Sequence, residues 1–380
     1  MSPDAARPSD TAADEPPGTF TVIPLAGLPE ITSGDDLAGL LRDSLERSEV
    51  TLRDGDVLVV SSKVVSKAQG LRVELADGDP NGARDEVVRQ HSHRVVAERL
   101  TSGGVTRIVA AEAGPVMAAA GVDASNAGPR GGALLLPGDP DLAARTLYAD
   151  LLTAYAPAAL PRIGVILSDT AGRPWRDGQV DFALGACGVR VVDDLRGQPD
   201  ADGSTLAVTT RAVADQIAAA ADLVKGKQSR VPAALVRGLR GAVDSPGAAG
   251  ARTLVRARDA DWFTLGTVEA VRTALGVAPG SHTAGEVGIA SVGREDLQVR
   301  LRRAIDLALV HEDLDAGACA VHIGQDRLTV VADDPFRRGR VVARLEVALH
   351  SERLQHYRVH HLNASEGASA PASEVPGAAD

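Results

Sequence analysis

Apolar residues in the first 75 positions come in two short runs with a helical repeat between them. Thr19 to Leu25 and Asp56 to Ser62 are rich in Val, Ile and Leu and bounded by turn residues, which predicts two strands. Between them Leu37, Leu40, Leu41 and Leu45 recur at helical spacing, predicting a helix near Asp35 to Ser48 with one face inward. Further along, the pattern predicts a helix over 84–100, strands over Thr106 to Ala110 and Ala133 to Leu136, and a helix from Pro140 to about Ala154. Ile163 to Leu167, after Pro161, reads as a buried strand, Gly178 to Gly188 as helical, and Val189 to Val192 as extended. Thr209 to Lys225 is the clearest helix, with Val213, Ile217, Ala220 and Val224 as its stripe and Gly226 as its C-cap. Pro232 to Gly238 is the next predicted strand, followed by a Gly/Ala-rich loop over 241–250.

The remainder has its own pattern. A helix is predicted over 259–275, with Trp262, Phe263 and Leu265 docking it onto the preceding core, and 276–288 reads as a linker. A helix over 294–310, strands over 318–323 and 327–332 joined at Gly324-Gln325-Asp326, and a helix from Pro335 to about Gln355 then form a small α-β-β-α unit. The expected organisation is a disordered arm over 1–18, a main domain over 19–250, a docking helix and linker over 251–288, the small domain over 289–362 and a disordered tail over 363–380.

Composition narrows the function. The 380 residues exceed one ordinary core, and scarce aromatics mean an interior of Val, Leu, Ile and Ala. A net charge of −11 argues against nucleic acid as partner, though local basic groups still suit a small anion. Cys187 and Cys319 stand far apart with no paired spacing, which argues against a disulfide framework or a cysteine zinc site. The acidic, Pro-rich start lacks the apolar stretch of a signal peptide, and no apolar run reaches spanning length, so a cytoplasmic protein without membrane contact is expected.

The densest chemistry lies in Ser168 to Gln179, SDTAGRPWRDGQ. Ser168, Asp169 and Thr170 offer three oxygen side chains at a strand end, suited to a hard cation or phosphate, and Arg173 and Arg176 follow in a loop around Trp175. The same residues also read as an Asp-Thr turn with solvated arginines. Gly121 to Asn126 places Asp123, Ser125 and Asn126 in a second loop, which reads as ligands or as an Asx-turn satisfying its own backbone. Ser61 to Lys67 sets hydroxyls and two ammonium groups at the end of the second strand. Lys225 and Lys227 flank the C-terminus of the clearest helix, where dipole compensation accounts for them without a ligand. Six late histidines, His311, His322, His350, His356, His360 and His361, lack metal-ligand spacing, so solvated or capping roles are the default. Arg337, Arg338 and Arg340 open the last helix on what reads as a solvated face.

The ordered segments LPEIT, DVLVVSSKVVSK, GVDASN, LLLPGDPD, GVILSDTAGRPWRDGQ and AVADQIAAAADLVKGK together resemble the coenzyme F420-0:L-glutamate ligase family, over about residues 19–245. The resemblance implies an α+β fold with mixed sheets, here with an added small C-terminal α/β domain, and a homodimer. It implies GTP- and Mg²⁺- or Mn²⁺-dependent ligation of L-glutamate, and of further γ-linked glutamates, to the deazaflavin coenzyme F420-0 through an acyl phosphate. K⁺ is a further cation to consider. By position, the implied metal ligands are Asp123, Asp169 and Thr170, the two aspartates also being the catalytic candidates. The implied GTP contacts are Leu28, Pro29, Glu30, Ile31, Ser62, Lys67 and Asn126. Arg173, Arg176 and Gln216 are candidate substrate or phosphate contacts.

Gln216 departs from the acidic residue the resemblance leads one to expect. The residues after 250 are too few for the nitroreductase-like domain of some actinobacterial relatives, so no flavin is expected. Two other classes stay open at this point: a non-catalytic nucleotide or deazaflavin binder on the same scaffold, and a metal-dependent phosphohydrolase using Asp123 and Asp169.

Overall fold

The computed structural model describes residues 18–75, 80–101, 104–125, 132–156, 161–226, 229–257, 261, 266–291, 294–312 and 319–363. It is a mixed α+β protein whose contacts group the chain into two compact units that do not follow sequence order. One unit comprises 1–75, 113–115 and 121–256; the other comprises 76–112, 116–120 and 257–380.

The first unit is built on a five-stranded mixed sheet. Its strands are β1 (Thr21–Leu25), β2 (Val57–Ser61), β8 (Gly164–Arg173), β9 (Arg176–Cys187) and β12 (Ala233–Arg237), in the order β1-β12-β2-β8-β9. Only β2 and β8 run parallel; the other pairs are antiparallel. Both faces are covered, so β2 is buried from Val57 to Val60 and shows no polar alternation. On one face lie α1 (Leu37–Arg47), started by Asp36 accepting from the Gly39 N–H, and α4 (Pro140–Ala154), started by Asp139 accepting from Leu142. On the other lies α5 (Val213–Lys225), which buries Ala214, Ile217, Ala218 and Ala221. Its inward stripe is thus turned by about one residue from the predicted one: Val213, Ala220 and Val224 are only partly buried. A short helix, α2 (Ser62–Ala68), follows β2 directly, and small pairs β3–β7 (Arg72–Val73 with Ala133–Leu134) and β10–β11 (Val192–Asp194 with Thr210–Ala212) complete the unit.

Gly178 to Gly188, predicted helical, is instead the strand β9. Residues 183–187 are buried on both faces, so neither a period of two nor one of 3.6 was visible in the run ALGAC. Gly185 has a definite role there: a Cβ at this position would come within 2.2 Å of the Pro140 carbonyl oxygen, so only glycine lets α4 start against β9. The strand β8 also runs six residues past Leu167, carrying Ser168 to Arg173 into a hairpin with β9.

The second unit holds the sheet β4-β5-β6 (Ser92–Thr101, Gly104–Ala111, Val116–Ala118) with α3 (Pro80–Gln90) and α6 (Thr267–Ala274). The helix predicted over 84–100 therefore stops near Gln90. Glu98, inside the predicted helix, serves strand pairing instead: it faces Arg107 across the ladder and pairs with it at 3.2 Å. The segment predicted as a linker contains α7 (His282–Val287), whose Ala284 and Val287 are buried in the core of this unit. The expected α-β-β-α pattern is present as α8 (Leu297–Leu309), β13 (Cys319–Ile323), β14 (Arg327–Ala332) and α9 (Pro335–Ser351). A further strand, β15 (Arg358–Leu362), pairs parallel with β14. Trp262, Phe263 and Leu265 lie outside the described residues. No helix among the described residues is long and apolar enough to cross a membrane.

Candidate functional site

Parallel pairing of β2 with β8 sets Ser61 beside Ser168, so α2 begins where the oxygen-rich half of β8 begins. The Ser62 hydroxyl donates to Asp169 Oδ1 at 3.2 Å. One residue on, Lys63 reaches the Gly121–Ser125 loop, with Nζ 2.6 Å from Asp123 Oδ2 and 3.1 Å from Ser125 Oγ. That loop is fixed to the fold by the Asp123–Leu134 backbone bonds, 3.1 and 2.9 Å, and by the Ser125 N–H donating to Asp123 Oδ1 at 2.6 Å. The Asx-turn reading of this loop is thus present together with the ion pair. Further along α2, Lys67 pairs with Glu30 at 2.6 Å, bringing the turn at Leu28 to Ile31 to the same helix.

Behind this polar edge lies a buried network that sequence reasoning missed. Asp181, from β9, accepts from Thr170 Oγ1 at 2.7 Å through one oxygen and from Ser168 Oγ at 2.9 Å through the other. Lys225, the last residue of α5, donates to Ser168 Oγ at 2.6 Å and to Asp181 Oδ2 at 2.7 Å. Both ion-pair side chains are nearly closed to solvent, at 6% and 4% exposure. Lys225 therefore does not merely compensate a helix dipole at the surface. The available signal was its place at the inward edge of an amphipathic helix, where a lysine needs a carboxylate.

The two candidate carboxylates sit in opposite electrostatic situations. Burial pushes the Asp169 carboxyl up to about 6, and the nearby Asp181 charge adds to that; the Thr170 N–H, Lys63 and Ser62 offset it only in part. Burial also acts to raise Asp123, but the Lys63 and Ser125 contacts outweigh it and hold the carboxyl below its ordinary value. Asp169 is thus a half-buried carboxylate short of positive charge. Thr170, by giving its proton to Asp181, keeps its lone pairs for another partner. Hard oxygens of this kind fit a divalent cation, which commonly takes one or two carboxylates and completes its shell from phosphate and water. No group of three or more His, Cys, Asp or Glu side chains is arranged to hold a metal by itself among the described residues. This includes the described late histidines.

The remaining candidates fall elsewhere. Arg173 and Arg176 stand at the exposed hairpin tip, and Arg173 donates to the Asp177 carbonyl at 2.6 Å. At about 3.3 Å per residue, the tip lies on the order of 13 Å along the strand from Asp169. Gln216 is exposed on α5 and lines a separate cavity, whereas its neighbour Asp215 accepts from the Ala183 N–H at 3.0 Å and is raised by burial. Asn126 lies outside the described residues.

The sequence profile of the family described as F420-0:Gamma-glutamyl ligase matches residues 27–238, which include Ser62, Lys63, Asp123, Asp169, Thr170, Asp181 and Lys225. The Coenzyme F420:L-glutamate ligase of Methanopyrus kandleri is 37% identical over 256 residues, covering 64% of this chain and 98% of the relative. Those of Archaeoglobus fulgidus and Methanothermobacter thermautotrophicus are 40% and 36% identical over 227 and 255 residues, covering 87% and 98% of their own lengths and 57% and 64% of this chain. A profile spanning more than half of the chain, and relatives matched over nearly their whole length, establish that this chain belongs to the F420-0:gamma-glutamyl ligase family.

Proposed function

We infer that this protein joins L-glutamate to a coenzyme F420 acceptor in the biosynthesis of that coenzyme, with GTP supplying the free energy. The observation that carries the reading is the meeting of Asp123, Lys63, Ser62, Asp169 and Thr170 at the β2–β8 edge, all within the stretch matched by the ligase family. Family membership supports the reaction class. The donor set supports a site for phosphate and cation.

An unactivated carboxylate is a poor acyl donor toward an amine. In the proposed sequence, an acceptor carboxylate oxygen attacks the γ-phosphorus of GTP, GDP leaves, and an acyl phosphate results. The α-amino nitrogen of glutamate then attacks the acyl carbon, inorganic phosphate departs, and a proton is lost from nitrogen as the amide forms. Asp123, Asp169 and Thr170 would hold Mg²⁺ or Mn²⁺, which when bound supplies positive charge to the phosphate oxygens during transfer. Lys63 is the cationic side chain at this edge, already paired with Asp123 and close enough to Asp169 to lower its carboxyl. Lys67 and the Leu28 to Ile31 turn would hold the nucleotide, with Glu30 giving up its ion pair as phosphate takes its place. Ser168, Asp181 and Lys225 fix the direction of the Thr170 hydroxyl from behind this edge. No enzyme-bound covalent intermediate is needed. A homodimer and the addition of more than one glutamate are part of the same proposal.

GTP consumption, measured with and without L-glutamate and the deazaflavin acceptor and paired with product mass, tests this. The expected result is acceptor mass increased by glutamate units, with GTP loss dependent on both substrates. Nucleotide binding with no turnover, or GTP loss indifferent to glutamate, would overturn it in favour of a binding protein or a phosphohydrolase respectively.

A further inference from the structure

The cavity that Gln216 lines is not part of the Asp169 edge. It encloses about 280 Å³; Arg190 and Asp193 line it, with Arg211 from β11, Val213 and Gln216 from the start of α5, Leu239 and Arg240 beyond β12, and Phe20. Among the described lining residues, guanidinium groups come from three separate chain segments and a carboxylate from Asp193. Aspartate 193 is shared between two of them at long range, 3.9 Å to Arg190 and 3.5 Å to Arg211.

The neighbouring residues show what a committed pair looks like in the same segment. Arg196 meets Asp194 in a two-pronged contact at 2.8 and 2.5 Å, and Arg237 meets Asp56 in another at 2.8 and 2.7 Å. Arg190 and Arg211 have no such fork on Asp193. Their guanidinium groups are half-exposed and line the cavity, and the first turn of α5, the positive end of its dipole, lines it at Val213. The apolar wall is also unusual for a solvated patch. Phe20, one of only four phenylalanines in the chain, is spent there at 47% exposure. Gln216 adds a neutral amide able to donate and accept.

We propose that this cavity is a second binding site, for a small organic polyanion whose acidic groups lie on Arg190, Arg211 and Arg240 and whose carbon chain lies on Phe20, Val213 and Leu239. Its chemistry suits a short polycarboxylate or a polyphosphate alike. The apolar wall favours the former, because methylene groups gain from Phe20 and Leu239 while bare phosphate does not. The site stands on its own geometry and does not depend on the ligase reading.

Calorimetric titration of the full chain without nucleotide or metal, at 0.15 M salt, tests it with two probes, tri-γ-L-glutamate and inorganic pyrophosphate. The tripeptide is expected to bind more tightly than pyrophosphate. Arg190→Gln, Arg211→Gln and Gln216→Glu each change one exposed side chain, the last placing a negative charge among the arginines. Each is expected to weaken binding by about tenfold, the arginine variants by losing one charge-assisted contact and Gln216→Glu by placing a like charge beside the anion. Asp169→Asn serves as the control and is expected to leave this binding unchanged. Tighter pyrophosphate binding with the same variant pattern would assign the site to polyphosphates and overturn the carboxylate preference. Failure of both probes to bind, or equal weakening by Asp169→Asn, would overturn the site itself.

Discussion

Lys225→Met removes the buried ammonium while keeping most of the length of its stem. In the wild-type protein that group donates to Ser168 at 2.6 Å and to Asp181 at 2.7 Å, and both charged side chains are almost fully enclosed. The substitution leaves the Asp181 carboxylate with two hydroxyl donors, Ser168 and Thr170, and no counter-charge. Breaking a buried pair from one side costs about 3–5 kcal/mol, because the remaining charge stays desolvated; the two surviving hydrogen bonds put the expected loss near the lower end, about 3 kcal/mol. Adding Asp181→Asn removes the stranded charge, lets the amide oxygen accept from Thr170 and lets the amide N–H donate to Ser168. The double variant should regain about 2 kcal/mol of that loss. Two compact units make global melting ambiguous, so hydrogen exchange read on peptides from β8 and β9 is the suitable assay. About 3 kcal/mol corresponds to exchange faster by roughly a hundredfold for amides that open with this part of the sheet. A loss below about 1 kcal/mol, or a double variant no more stable than the single, would refute the assignment of Lys225 as the counter-charge of Asp181.

Asp169→Asn should lower glutamate ligation by about three orders of magnitude, as removal of a principal electrostatic stabiliser does, and near-normal turnover at saturating Mn²⁺ and GTP would sink the metal assignment. The double variant with Asp123→Asn should be little slower than either single if both carboxylates serve one cation, which single-turnover rates would show. The Asp169 carboxyl is raised to about 6 from an ordinary 3.8, so the native state holds more protons than the unfolded chain between those values and stability falls as pH rises through that window. The shift costs about 3 kcal/mol of stability above pH 6, and hydrogen exchange on β8 peptides across this pH range, corrected for the intrinsic exchange rate, should show the slope flattened in Asp169→Asn; an unchanged slope would contradict the desolvated environment. A cut after Gly276 looks clean in the sequence, yet it would remove Gly280, whose N–H donates to buried Glu98 at 3.0 Å, and Ala290, whose carbonyl receives the Leu100 N–H at 2.8 Å. Limited proteolysis of that shortened chain should therefore cleave first within β4 and β5, and resistance there equal to the full chain would argue that 277–380 give the sheet no support.

Short apolar runs and helical stripes made much of the secondary structure legible. The strands β1, β2 and β12 and helices α1, α4, α8 and α9 stand close to where local pattern put them, because each carries a bounded apolar run or a single buried face together with its own cap or turn. The family was legible for the same reason: six ordered motifs survive as strings of residues, and they include Asp123, Asp169 and Thr170.

What the sequence could not carry was pairing between distant segments. β4 was read as the continuation of a helix over 84–100, and only the facing Arg107 on β5 reveals that Glu98 belongs to a ladder. β9 hid its period because both of its faces are buried, a property of the layers laid over it and not of ALGAC itself. Asp181 and Lys225 are separated by 44 positions; Lys225 alone reads as dipole compensation, and nothing around Asp181 in the chain singles it out. Enclosing them together leaves each as the other's necessary partner, since a buried charge is tolerated only where an opposite charge and hydrogen-bond donors come with it. Local sequence thus determined which elements form and which oxygen side chains are on offer. Tertiary structure alone decided which charges are withdrawn from water, because desolvation depends on every segment packed around a group and on none of its neighbours in the chain by themselves.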